Sequence, residues 1–231
     1  MAPGIARRVR AAVACLGAGA AAGLIVALVA QQPLPPSRFE FGVVRPVAGV
    51  LQRDPYPSLE VNGRRVWLVG PGKVGADALI GDTPSGPVVV DGTAIQRGRI
   101  RMLEAIRLRS MTAATAAALT PWPDPARTRV TLTGEIVDSK CFLGVMNPGE
   151  GHVHRDCARR CLSGGIPPML VVRDGRGGEQ LVLLVSEDGE PIGRQLTRVA
   201  GRPVTVTGQL AHQGDQFVLY ANPASFSTQG S

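Results

Sequence analysis

Gly86–Glu104 reads GPVVVDGTAIQRGRIRMLE, and Gly201–Tyr220 reads GRPVTVTGQLAHQGDQFVLY. Val88, Val90, Gly92 and Gly98 of the first stretch stand against Val204, Val206, Gly208 and Gly214 of the second, every pair 116 residues apart. Each stretch is an alternating strand, a glycine, a short strand, a turn glycine and a third strand. Carried backward, the same offset sets Trp67 and Leu68 on Leu183 and Leu184, inside the strand-like runs RVWLVG and LVLLVS. After each run comes a segment able to hold a short helix, Ile192–Val199 in the second copy. Further back, VAGVLQ from Val47 resembles LTGEIV from Leu132. Strand, glycine-marked strand, short helix and hairpin is the order of a small five-stranded barrel of the OB type. The sequence therefore predicts a mainly β protein with two OB-like units, spanning 36–106 and 128–228. The stretch 107–127, rich in Ala and Thr and ending in PWPDP, is expected as a linker or a helix.

The repeat is uneven. Gly49 to Trp67 covers 18 residues and Gly134 to Leu183 covers 49, so the second unit carries 49 − 18 = 31 extra residues, placed at about 139–171. This insertion, DSKCFLGVMNPGEGHVHRDCARRCLSGGIPP from Asp138, holds Cys141, His152, His154, Cys157 and Cys161. If His154–Leu162 is helical, His154, Cys157 and Cys161 share a face at steps of three and four. Gly164 and Gly165 would end that helix, and Pro167 and Pro168 would stop its continuation. Cys141 would approach from the end of the preceding strand.

Three thiols and two imidazoles suit a zinc or copper ion, with iron or haem less well matched, since C-x-x-C-H is missing. A disulfide from Cys141 to Cys157 or Cys161 is the structural alternative, and it leaves one thiol over. A working thiol pair is the third reading; Lys140, Arg155, Arg159 and Arg160 are the cations that would favour its thiolate. Asp138 and Glu150 are carboxylates available as acid or base.

The string Gly134–Val172, GEIVDSKCFLGVMNPGEGHVHRDCARRCLSGGIPPMLVV, resembles a motif that recurs in a family of uncharacterised exported bacterial proteins. Its pattern is G-x-x-x-D-x-x-C, then a histidine ahead of CA-x-x-C, then G-x-P. Gly134, Asp138, Cys141, His154, Cys157, Ala158, Cys161, Gly165 and Pro167 fit it. The resemblance covers less than a fifth of the chain and leaves out the first β-unit. It implies that the cysteines and histidine act as a unit, and it carries no established activity.

Ala11–Ala30 is a run of 20 residues without a charge, preceded by Arg7, Arg8 and Arg10. Such a helix spans a hydrocarbon core of roughly 30 Å. The positive-inside rule then puts residues 1–10 in the cytoplasm and everything beyond residue 30 outside, in the periplasm or its equivalent. A cleaved signal peptide is the competing reading. Its apolar core would be shorter, about 7 to 15 residues, and the best cut, after Ala30, has Leu28 at the minus-three position. The uncleaved inner-membrane anchor is the expectation.

Of 25 basic residues, 23 are Arg; only Lys73 and Lys140 are Lys. With abundant Ala, 29 Gly and 19 Pro, this reads as a compositional bias. The net charge of +7 has no aromatic-interleaved basic stripe, so no nucleic-acid partner is expected. Arg97, Arg99 and Arg101 read as one solvated strand face, and His212 as an exposed turn residue. Pro71–Gly75, PGKVG, lacks the spacing of a phosphate loop. With three histidines, two of them in the cysteine cluster, material for a hydrolytic triad is scarce. The composite expectation is a membrane-anchored, exported binding or accessory protein that holds a metal or cofactor, serving a membrane redox system. The alternatives are a thiol-disulfide redox protein and a disulfide-stapled interaction module.

Overall fold

A computed structural model describes residues 3–30, 37–111, 125–175 and 178–228. The chain forms two units, 1–35 and 36–231. In the first, α1 (Pro3–Ala30) starts eight residues before the expected span and includes the arginines. Its stretch Arg7–Leu28, with a mean hydropathy of 2.2, is long and apolar enough to cross a membrane.

Among the described residues, the second unit contains twelve strands. The first six are β1 (Ser37–Phe39), β2 (Arg45–Gln52), β3 (Ser58–Val61), β4 (Arg64–Val69), β5 (Gly86–Arg97) and β6 (Ile100–Ser110), with a one-turn helix α2 (Asp77–Ile80) between β4 and β5. Their order is β1-β5-β2-β3-β4-β6, closed by β5 pairing with β6. β4 runs parallel to β6, and the other pairs are antiparallel. The second six are β7 (Arg127–Asp138), β8 (Pro168–Arg173), β9 (Glu179–Val185), β10 (Pro203–Gln213), β11 (Gln216–Tyr220) and β12 (Ser227–Thr228). They close in the same way, β11-β9-β8-β7-β10 with β10 on β11, and β9 runs parallel to β11. Both barrels therefore have the OB strand order. Of the expected linker 107–127, the first four residues belong to β6, and 112–124 lie outside the described residues.

The offset of 116 reaches individual pairings. Trp67 pairs with Met102 as Leu183 pairs with Val218, and the isolated bridge Val69–Gly75 is repeated as Val185–Pro191. Gly92 and Gly208 share one cause. A Cβ at Gly92 would stand 2.5 Å from the Glu104 carbonyl oxygen, and one at Gly208 would stand 2.5 Å from that of Tyr220. Only a residue without a side chain allows the strands to cross so closely.

Strand periodicity separates three cores. Leu51, Leu59, Leu68, Val88, Val90 and Leu103 fill the first barrel. Ile136, Leu170, Val182, Leu184, Val204 and Leu219 fill the second. The alternate positions of the same strands do not face water. Trp67, Val69 and Met102 from one barrel join Val137, Met169, Leu183, Val185 and Val218 from the other in a third buried cluster. The barrels thus pack through the same face of each repeat, Trp67 corresponding to Leu183 and Met102 to Val218, as partners do across an isologous interface. Each apolar side chain buried there is worth about 1.5–3 kcal/mol. Tyr56 adds a polar tie: its hydroxyl donates to the Leu184 carbonyl at 3.1 Å and accepts from the Ile192 N–H at 3.0 Å. Burial pushes its phenol well above the ordinary range.

The extra chain in the second barrel lies between β7 and β8, over residues 139–167. The expected insertion 139–171 therefore took in the first four residues of β8, whose Met169 and Val171 face the other barrel.

Candidate metal or thiol centre between the barrels

β7 ends at Asp138, whose side chain is fully buried. Its Oδ1 accepts the Cys141 N–H at 2.9 Å, turning the chain into the wide helical turn Cys141–Val145. Its Oδ2 lies 2.9 Å from His154 Nε2. One carboxylate thus fixes both a thiol and an imidazole. The single turn His152–His154 leads into α3 (Arg155–Ser163), close to the helix expected at 154–162. The N–H groups of Gly164 and Gly165 close its last turn, and Pro167 and Pro168 follow.

Two stripes on α3 explain its placement. Ala158 and Leu162, four apart, pack into the core of the second barrel. Cys157 and Cys161, one residue earlier in each case, face the inter-barrel cluster with Cys141, Phe142 and Leu143. The insertion is therefore anchored through apolar side chains to both buried clusters. Arg97 reinforces it from the first barrel, pairing with Glu179 at 2.9 and 3.0 Å and lying 4.1 Å from the Phe142 ring centroid. It is not part of a solvated face: the β5–β6 turn separates it from Arg101.

The Sγ atoms of Cys141, Cys157 and Cys161 all lie within 4.8 Å of one another, and Cys141 Sγ is 3.9 Å from Cys157 Sγ. Asp138, Cys141 and His154 form a second such group, so Cys141 belongs to both. All three sulfurs are free thiols, and no disulfide is formed. A tetrahedral ion with Zn–S bonds of about 2.3 Å would set its sulfurs about 3.8 Å apart. The cluster could therefore hold a metal ion. His152 is exposed and belongs to neither group.

The thiols are electrostatically unequal. The hydrogen bond from Cys141 holds the Cys161 thiol low, with further help from the Lys73 charge, against the opposing effect of burial. Cys141, as the donor of that bond, is pushed strongly up; burial and the Asp138 carboxylate push it further. The cation at the cluster is Lys73, from the loop after β4 of the first barrel. Its Nζ donates to Cys157 Sγ, and that bond raises the Lys73 pKa. Lys140, expected to favour a thiolate, instead turns away. Buried, it donates to the carbonyls of Gly70 and Gly72 at 2.8 and 2.7 Å and pairs with Glu104, pinning the insertion to the first barrel. Arg159 and Arg160 are exposed on α3. Glu150 pairs with Arg173, and His212 is exposed against the Phe217 ring.

Reading the sequence for a phosphate loop missed Lys73. A usable signal was present: the two lysines of an arginine-rich chain both lie at this junction, one from each barrel. No protein-family model, curated protein or solved structure matches the chain.

Proposed function

We propose that α1 anchors the chain in the inner membrane with both barrels on the exported side, and that the cluster between them holds one thiophilic metal ion, zinc or copper. Cys141, Cys157 and Cys161 supply three sulfurs. His154, held at Nε2 by Asp138, is the fourth donor; it already stands with Cys141 and would have to close on Cys157 and Cys161. A carboxylate behind a ligating histidine sets its tautomer and orientation. The observation that carries this reading is the convergence of three thiols within 4.8 Å of one another beside a buried His–Asp pair. The chain would act as a binding or accessory protein of a membrane redox system, in keeping with the exported family it resembles. In the second barrel, Met169 and Val171 of β8 and Leu183 and Val185 of β9, on the strands with which OB barrels bind nucleic acid, are buried in the inter-barrel cluster, which supports a protein-centred role.

The 3.9 Å separation of Cys141 and Cys157 favours a second reading, in which these two form a disulfide as two electrons and two protons pass to a partner disulfide, leaving it a dithiol. Metal analysis and thiol counting on the detergent-solubilised full chain separate the two. The metal reading expects one ion per chain and three thiols beyond Cys15 that react only after chelation. A metal-free chain with a single reactive thiol beyond Cys15 would overturn it.

A further inference from the structure

We propose that the turn Glu40–Val44 is a second membrane contact, lying on the outer face of the bilayer that α1 crosses, with Phe41 at headgroup depth. This inference rests on the anchor reading and is independent of the metal site. Phe41 is 83% exposed, and Val43 and Val44 are 40% and 49% exposed. An exposed phenylalanine followed by two exposed valines is a costly arrangement in water, and the turn that presents them is well fixed. The Val43 N–H donates to the Glu40 carbonyl at 2.9 Å, and the Glu40 N–H donates to the Ala94 carbonyl of β5 at 3.0 Å. Gly42 takes a φ of +78°, which turns the chain at the tip. The Phe41 ring meets the Phe39 ring edge-on at 5.6 Å, so its position is set by the barrel.

Charge and chain length identify the occupant as lipid. Arg38 and Arg45 flank the turn, and both pair with the single carboxylate of Glu40, leaving one positive charge beside the apolar tip. Aromatic and aliphatic side chains set among arginines are the composition of membrane-surface anchors, in which the rings enter the headgroup boundary and the cations meet anionic lipid. Phe41 follows Ala30, the last residue of α1, by 11 residues. At about 3.6 Å per residue it lies no more than about 40 Å along the chain from the end of the span. Tethering at that length keeps the turn at high effective concentration next to the bilayer, so even a weak contact is populated.

The test uses the full chain in vesicles containing anionic phospholipid, with nitroxide-bearing lipids as quenchers. Phe41→Trp is compared with Val153→Trp, a control at a site 80% exposed. Each is read as the increment over the parent chain, which already contains Trp67 and Trp122. The inference expects tryptophan at 41 to be quenched roughly twofold or more over tryptophan at 153, and more by nitroxides at the headgroup than by nitroxides deep in the chains. Equal quenching at the two positions would overturn it. So would emission at 41 that ignores the nitroxides but shifts to the blue as the protein-to-lipid ratio rises, because a second copy would then cover the turn. A chain that does not float with vesicles at all would overturn the anchor reading together with this contact, whereas failure of the quenching alone leaves the anchor intact.

Discussion

Gly164→Ala tests whether the first barrel is a working part of the site. Gly164 ends α3 at φ −79° and ψ −1°, an ordinary backbone conformation for any residue. At an unpacked helix end, alanine there would be neutral or would stabilise by up to about 1 kcal/mol, through the unfolded chain. Here its Cβ would stand 1.9 Å from the Lys73 carbonyl oxygen, where 3.0 Å is the closest real approach. The two segments must therefore part by at least 3.0 − 1.9 = 1.1 Å. The bond from the Gly75 N–H to the Gly164 carbonyl, 2.8 Å long, does not survive such a shift. Its loss costs about 1 kcal/mol and the forced repacking about 1–3 kcal/mol, so the net effect is roughly 2–4 kcal/mol of destabilisation. For a body of this size that lowers Tm by about 5–15 °C, measured by far-UV circular dichroism on the solubilised chain. The same displacement draws Lys73 from Cys157, so metal retention against a chelator falls with stability. A Tm equal to or above that of the parent would refute the close packing of the PGKVG loop on the insertion.

Three further substitutions probe separate links. Asp138→Asn keeps the shape of the buried carboxylate but removes its charge behind His154 and Cys141, and should weaken metal binding about 10- to 100-fold in a chelator competition. Lys140→Met strands the Gly70 and Gly72 carbonyls and the Glu104 carboxylate, and should cost about 3–5 kcal/mol in denaturant unfolding; a loss under about 1 kcal/mol would mean that the barrels dock without it. Burial raises the Glu135 pKa above its ordinary 4.5, so on raising the pH the unfolded chain gives up this proton first. Stability should then fall as pH climbs from about 4.5 through the raised folded value, and Glu135→Gln should flatten that slope.

The repeat was legible because its markers are backbone requirements: Gly92 and Gly208 both stand where strands cross too closely for a side chain. The meeting of Cys141, Cys157 and Cys161 was legible for a similar reason, since helical spacing and a strand end fix direction. What lay between the barrels was not legible. RVWLVG and LVLLVS read as strands, but only the packed pair shows that both of their faces are buried. Arg97 reads as solvated for as long as its strand is considered alone. Lys73, for which no role was expected, stands at the thiols where Lys140 was expected, because each lysine reaches into the other barrel, and periodicity along one chain segment has no access to that. The end of the insertion was misplaced because an offset counts residues and does not locate where β8 resumes.

The most direct test of the metal centre is X-ray absorption at the edge of the metal that copurifies with the full chain. A centre of three thiolates and one imidazole predicts about three sulfur scatterers near 2.3 Å and one nitrogen near 2.0–2.1 Å, with the nitrogen shell lost in His154→Ala and the sulfur shell reduced in Cys157→Ser. A shell of nitrogen and oxygen alone, or a metal-free chain with Cys141 bonded to Cys157, would contradict it.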